Sequence, residues 1–210
     1  MKLQILPIVL LSISLAACAP STMVRTYVDS SLTKASLTAG GITILPLLLS
    51  SNVKDANVPE IRRELSRRTS DSVKRIFPSA NLVDSEKTLD IIQKNNYLED
   101  FTATSVSFDA TGSLRSDVLS KISDISKTRY VLLPYLQTAY STTTSNGIYS
   151  TTTFVSSFSL VIWDKMQQKS VYEGTGKGTA ISGLFANKNI LDAAYAAFDD
   201  AGSKINADIQ

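Results

Sequence analysis

The stretch that decides the fold is "RYVLLPYLQTAY" at residues 129–140, which is followed by "TTTFVSSFSLVIWD" at residues 151–164. Both runs are rich in β-branched and aromatic residues, which is typical of strands. The residues between them, "STTTSNGIYS", contain the turn-forming pair Asn146-Gly147. The two runs therefore predict a long antiparallel hairpin in the C-terminal half of the chain.

A third run of strand type, "SVYEGTGKGTAIS" at residues 170–182, follows the turn "DKMQQK". Its "EGTGKGT" motif invites comparison with a phosphate-binding loop, but Val171 stands where that loop needs its first glycine. Gly178 follows Lys177 where serine or threonine is required. We therefore interpret the motif as part of an edge strand that its glycines loosen.

The N-terminal half alternates short strands with helices. "ITILPLLL" at residues 42–49 has the length of a buried strand, and Pro46 predicts a bulge or a strand end within it. "NVPEIRRELSRRTSDSVKRIFP" at residues 57–78 predicts the clearest amphipathic helix, because its apolar residues recur at helical spacing. These are Val58, Ile61, Leu65, Val73 and Ile76.

The opposite face of that helix is basic and includes Arg62, Arg63 and Arg67. These three arginines are candidate partner-binding residues, since a basic face suits anionic lipid or an acidic protein. The alternative is an ordinary solvated face, partly neutralised by Glu60, Glu64 and Asp71. Both interpretations stay open at the level of sequence.

The remaining segments complete the order of elements. A short strand at 81–85 leads into a helix, and apolar spacing predicts further helices at 114–125 and 190–205, whereas residues 96–113 suggest only a helical turn and a loop. From residue 42 the predicted order is β-α-β-α-α-β-β-β-α. The predicted fold class is α/β (α+β), a mixed β-sheet with helices packed on it.

The first residues, "MKLQILPIVLLSISLAAC", have the layout of a secretory signal: Lys2, an apolar run of about 13 residues, and small residues at the end. The run is shorter than the roughly 20 residues that a membrane-spanning helix needs. The closing residues Leu15, Ala16, Ala17 and Cys18 resemble a bacterial lipobox. That resemblance implies cleavage before Cys18 and attachment of lipid to its thiol; the alternative is an ordinary signal with an incidental cysteine.

Ala19 follows the lipobox cysteine. In the enterobacterial pattern an aspartate there favours the inner membrane, so the resemblance implies the outer membrane. We expect a signal peptide at 1–17, the lipidated cysteine and a flexible tether at 18–41, and one periplasmic domain at 42–210. Within the tether, "MVRTYV" at 23–28 alternates weakly and could add an edge strand.

Composition excludes several kinds of active site. The chain has no histidine and a single cysteine, which excludes zinc sites of the His/Cys type and Ser–His or Cys–His nucleophiles. A net charge of +2 gives no sign of a nucleic-acid partner. We predict no catalytic residue, no metal and no cofactor, although a Ser–Lys or Asp–Asp site assembled by the fold stays open.

The tip of the predicted hairpin, residues 141–153, is rich in threonine and serine and carries no charge. Tyr140 directly precedes the tip and Tyr149 lies within it, and both are candidate partner-binding residues. The tip is either an exposed, flexible loop or a contact surface for a partner protein. Its strands could also pair with those of other subunits in an assembly.

From about Ile42 the pattern resembles a group of periplasmic lipoprotein domains. The resemblance rests on "ITILP", the amphipathic helix at 57–78, "NLVDS", "YVLLPYLQ" and the hairpin "FSLVIWDKMQQKSVYEGTGKG". The group includes the penicillin-binding-protein activator lipoproteins, the curli secretion lipoprotein and the N-terminal domain of the TolB protein. It has no motif residues of a catalytic kind to carry over.

The expected function is therefore that of a lipid-anchored periplasmic lipoprotein that binds an envelope protein and catalyses nothing. Its acyl chains would hold it in the membrane. The main alternative is a subunit of a homo-oligomeric lipoprotein assembly for secretion or transport. An envelope hydrolase is the third class.

Overall fold

The computed structural model describes residues 26–53, 57–147, 149–184 and 186–209. Within these ranges a seven-stranded mixed sheet is covered by helices on both faces. The strands are β1 (Thr26–Val28), β2 (Ile42–Ile44), β3 (Leu48–Leu49), β4 (Leu82–Val83), β5 (Tyr130–Ser145), β6 (Ser150–Asp164) and β7 (Lys169–Ser182). The helices are α1 (Lys34–Gly40), α2 (Val58–Ile76), α3 (Ser85–Lys94), α4 (Leu98–Thr111), α5 (Ser116–Ser126) and α6 (Ile190–Asp208). This confirms the predicted fold class.

The predicted hairpin forms the centre of the sheet. β5 pairs antiparallel with β6 from Tyr130 opposite Asp164 to Ser145 opposite Ser150, and β6 pairs antiparallel with β7. The turn lies at the predicted pair, and Gly147 has a φ of 84°, a value that favours glycine. The sequence prediction of this hairpin is confirmed.

The other strands extend the sheet on both sides in the order β1-β7-β6-β5-β2-β4, and β3 also pairs with β5. β2 and β3 run parallel to β5 and are separated by the break that Pro46 predicts. The chain remains hydrogen-bonded to β5 at the break, since Leu45 N donates to Leu132 O at 2.9 Å. Residues 42–49 therefore form two short strands instead of one.

Alternate residues of the central strands serve two separate cores. On β6, Phe158, Leu160 and Ile162 pack in the core that contains residues of α2 and α6. Val161 and Trp163 point to the opposite face and pack with residues of α3, α4 and α5. The near-continuous apolar run at residues 160–163 is typical of a strand buried on both faces, since successive side chains point to opposite sides of the sheet.

Two sequence predictions are wrong. Residues 98–111 form helix α4 instead of a turn and loop. Its apolar pattern is weak because Thr104 is buried, with its hydroxyl bonded to Asp100 O at 2.8 Å, while Leu98 and Val106 are exposed. From β2 onward the order is therefore β-β-α-β-α-α-α-β-β-β-α.

The flexible tether predicted for 18–41 is the second correction. β1 pairs with Tyr172–Gly174 of β7, as the weak alternation at 23–28 suggested, and α1 follows it with Thr33 as its N-cap. Leu37 of α1 is fully buried in the main core. Residues 26–40 thus belong to the folded domain, because their few apolar side chains are enough to fix them to it.

Glycines of β7 let helix α6 approach the sheet. A Cβ added to Gly176 would lie 2.1 Å from Ala197 O, and one added to Gly178 would lie 2.0 Å from Ala193 O. Two residues of a strand span about 6.6 Å and four residues of a helix span about 6 Å. Because these two spacings nearly match, the two glycines face alanines that lie one turn apart on α6. The glycines that resembled a phosphate loop therefore have a packing role, and both lie in the part of β7 beyond Gly174 where β1 no longer pairs with it.

Candidate functional site

The hairpin projects past the strands that flank it. The last parallel contact on the outer side of β5 is between Val53 and Ala139, and β1 pairs only with Tyr172–Gly174 of β7. We call the projecting part the ribbon: residues 140–147 and 149–155 of the β5–β6 hairpin and residues 179–182 of β7. Within the described chain, no strand pairs with the outer edge of either flanking strand of the ribbon.

The ribbon lacks the usual protection of an open strand edge. Natural edges are commonly blunted by lysine, other charges or proline, which oppose pairing with another chain. Residues 140–155 and 178–186 contain no charged residue and no proline. The ribbon is therefore a surface on which an extended segment could add a strand.

The two candidate tyrosines lie on this ribbon. Tyr140, at its base, is 43% exposed, and Tyr149, beside the turn, is 54% exposed. Ile181 of β7 adds a further exposed apolar side chain at 53%. Tyr149 N donates to Asn146 Oδ1 at 2.8 Å, which orders the turn. Both tyrosines are thus exposed on an ordered hairpin, and their role in partner binding stays a prediction.

The three candidate arginines lie on α2, apart from the tyrosines. Arg63 contacts Glu64 at 3.4 Å, and Arg67 contacts Glu64 at 3.1 Å and Asp71 at 3.3 Å. All are exposed local pairs of the kind that contributes little to stability. Arg62 makes no ion pair within the described chain, so it is the candidate whose charge is left for a partner.

A groove between α2, α3 and α4 was not predicted from the sequence. Two adjoining cavities of about 420 and 220 Å³ share Pro46, Arg62 and Leu89. The second continues along α4, where Leu98 and Phe101 form its wall. Since residues 96–113 were expected to be a turn and loop, nothing in the sequence pattern placed these apolar side chains on one surface.

The partly buried carboxyl of Asp109 has a structural role. Burial raises the pKa of Asp109, but hydrogen bonds from Ser50, Tyr135 and Ser51 outweigh it and lower the pKa to about 2. Burial and then Asp109 raise the pKa of Tyr135 to about 12, and the two side chains are 2.5 Å apart. Neither pKa lies near neutrality, where a general acid or base works best. We therefore interpret the hydrogen bond between Asp109 and Tyr135 as a structural link between α4 and β5.

No group of acidic or cysteine side chains in the described ranges is arranged to hold a metal ion. No helix there is long and apolar enough to cross a membrane. The predicted lipid attachment at Cys18 and the cleavage residues Leu15, Ala16 and Ala17 lie outside the described residues.

No protein-family model matches the chain, and no curated protein matches it. Among solved structures, the chain is similar to the lipoprotein GNA1162 from Neisseria meningitidis, with a TM-score of 0.48, 14% identity, and coverage of 74% of this chain and 92% of that one. A PelC dodecamer from Paraburkholderia phytofirmans gives 0.48 and 10%, covering 88% and 95%. The LpoB C-terminal domain from Salmonella enterica gives 0.38 and 12%, covering 70% and 95%. At these scores the likenesses carry no argument about function.

Proposed function

We propose that this protein is a lipid-anchored lipoprotein of the outer membrane whose periplasmic domain binds another envelope protein and catalyses nothing. The observation that carries the proposal is the ribbon, with two open edges and no charge. An unpaired strand edge offers a row of N–H and C=O groups to an extended segment of a partner. The lipid anchor would hold the ribbon in the compartment where that partner lies.

Main-chain pairing alone is too weak for a stable complex. A segment added along the ribbon would make about five hydrogen bonds, each worth about 1 kcal/mol net, against an association cost of about 4–15 kcal/mol. Side-chain contacts must supply the rest. Tyr140, Tyr149 and Ile181 are the exposed side chains of the ribbon that could do so, and tyrosine is enriched among residues that dominate binding energy.

A photo-activated cross-linking residue placed at Tyr149 tests this role in intact cells. We expect irradiation to join the protein to one foreign envelope protein, because the side chain lies on the proposed contact surface. The matched control is Met166, which is 75% exposed in the turn between β6 and β7, at the opposite end of β6. Equal foreign cross-linking from both positions, or none from Tyr149, would rule out a partner site on the ribbon.

The second candidate function is a subunit of a homo-oligomeric assembly for secretion or transport. The observation in its favour is that β5 and β7, which carry the two open edges, run in the same direction on either side of β6. The β5 edge of one copy could therefore pair with the β7 edge of the next and repeat around a ring. Cross-linking from Tyr149 would then give a ladder of multiples of the chain mass instead of one foreign band.

The lipid anchor predicts the behaviour of a single substitution. Each buried methylene of an acyl chain is worth about 0.8 kcal/mol, and stable attachment needs more than one chain. A diacylglycerol on Cys18 with an acylated amino group meets this need. Cys18→Ser is expected to abolish labelling by radioactive fatty acid and to leave the unprocessed precursor, as judged by gel mobility. Normal labelling and maturation of this variant would refute the anchor, whereas Ser14→Ala should change neither.

A further inference from the structure

The groove between α2, α3 and α4 keeps apolar side chains at the surface. Leu98 is 51% exposed and Val106 64%, and they lie about two turns apart on α4, where both border one cavity. Leu89 of α3 is 38% exposed on the neighbouring wall. We call Leu89, Leu98 and Val106 the apolar stripe. Apolar side chains that adjoin in this way are typical of a surface that is covered in the working protein.

Two unpaired charges of opposite sign flank the stripe. Arg62 lines the same cavity as Leu98, and Glu99 lines the next cavity along α4, which Leu98 also borders. Leu98 therefore lies between the two charges. Within the described ranges neither Arg62 nor Glu99 makes an ion pair, whereas the neighbouring Asp100 pairs with Arg115 at 3.5 Å.

We propose that this patch binds a second copy of the chain in a two-fold dimer. In a two-fold interface the same patch serves both copies, and a residue on one side of the axis meets the residue on the opposite side of the other copy. An axis near Leu98 would bring Arg62 of each copy to Glu99 of the other. The apolar stripe would form the centre and the two reciprocal ion pairs the rim, which is the usual anatomy of a protein interface.

A second copy would pair both charges of the patch, whereas an acidic segment of another protein would pair only one. An acidic segment of another protein would pair with Arg62 and leave Glu99 facing it without a cation. A second copy supplies a cation for Glu99, an anion for Arg62 and an equal apolar stripe. The dimer does not depend on the ribbon, so it is a claim separate from partner binding there.

A charge swap tests the dimer. The full-length lipidated chain, purified in a non-ionic detergent, is measured by size-exclusion chromatography with light scattering from about 1 to about 100 μM, where interfaces of modest affinity dissociate. We expect twice the chain mass at the upper end. Arg62→Glu and Glu99→Arg should each raise the dimer dissociation constant about tenfold or more, because like charges then face each other. The double variant should return to within about threefold of the wild type.

Arg75→Glu is the matched control, because it makes the same charge change at an exposed position of α2 that lines neither cavity. It should dimerise like the wild type, and circular dichroism melts should show that all variants fold. Three results would each overturn the proposal: a wild-type chain that is monomeric throughout, single variants that dimerise as tightly as it does, or a double variant no tighter than the singles. A monomeric wild type would leave a foreign acidic segment as the occupant.

Discussion

Gly178→Val is expected to lower the free energy of unfolding by at least about 3 kcal/mol, the upper end of the usual range for overpacked cores. A Cβ at this position would lie 2.0 Å from Ala193 O and 2.4 Å from Ala197 N. Both are backbone atoms of α6, so no change of side-chain rotamer relieves the clash. The helix must move away from β7 and β6, and the apolar contacts of Phe198 with Phe158 are lost with it. Urea unfolding followed by circular dichroism measures the effect.

Gly202→Ala provides the control, because it adds a methyl group to a glycine of α6, the helix that Gly178→Val would displace. A Cβ at Gly202 meets nothing within 4 Å. The substitution should therefore raise the free energy of unfolding, by up to about 1 kcal/mol, since alanine is the better helix former. A Gly178→Val variant as stable as the wild type would show that α6 does not lie against these glycines.

Asp164→Ala is expected to cost about 3–5 kcal/mol, the usual penalty for removing one partner of a buried ion pair. The Asp164 side chain is fully buried and accepts hydrogen bonds from Arg129 Nε at 2.9 Å and Nη2 at 2.5 Å. Met166 N and Gln167 Nε2 also donate to it, at 2.8 and 3.1 Å. Without the carboxylate, Arg129 and the turn after β6 lose their common acceptor. Thermal unfolding at pH 7 measures the loss.

The cost of this substitution should depend on pH. Burial raises the pKa of Asp164, but the hydrogen bonds from Arg129, Met166 and Gln167 outweigh it and hold the pKa below the usual range of an aspartate. A carboxyl with a lowered pKa stabilises the fold above its unfolded-state pKa and loses that effect as the pH falls through the folded value. The difference between wild type and Asp164→Ala should therefore shrink below about pH 4.

Asp90→Ala is the matched control for the buried pair. Asp90 contacts Lys94 at 2.7 Å on the surface of α3, with both side chains more than half exposed. Removing it should cost less than about 1 kcal/mol. Equal losses from Asp90→Ala and Asp164→Ala would contradict the buried position of Asp164.

The sequence predicted the elements that have a clear period. The β5–β6 hairpin and α2 were found because alternation and helical spacing follow directly from burial of one or both faces. α4 was missed because it buries Thr104 and exposes Leu98, which reverses the pattern that marks a helix. The role of Gly176 and Gly178 could not be predicted, since it depends on how close α6 comes to the sheet.

The candidate site was only partly predictable. Tyr140 and Tyr149 drew attention because they are the aromatic residues beside and within an uncharged, threonine-rich tip, and the structure places both on the ribbon. The three arginines of α2 looked equivalent in sequence. Only the structure distinguishes Arg62, which lines the groove without an ion pair, from Arg63 and Arg67, which pair with Glu64. Pairing of this kind depends on rotamers and neighbours that spacing alone does not fix.

The most direct test of partner binding compares two lysine substitutions in a pull-down of the lipid-anchored protein from membranes. Thr143 lies on the open edge strand β5, and Thr151 lies on the central strand β6; both are exposed, and neither substitution alters the core. Because a charge on an edge opposes strand addition, Thr143→Lys should lose an envelope protein that the wild type and Thr151→Lys both retain. Equal recovery of that protein with Thr143→Lys and with Thr151→Lys would contradict binding at the ribbon edge.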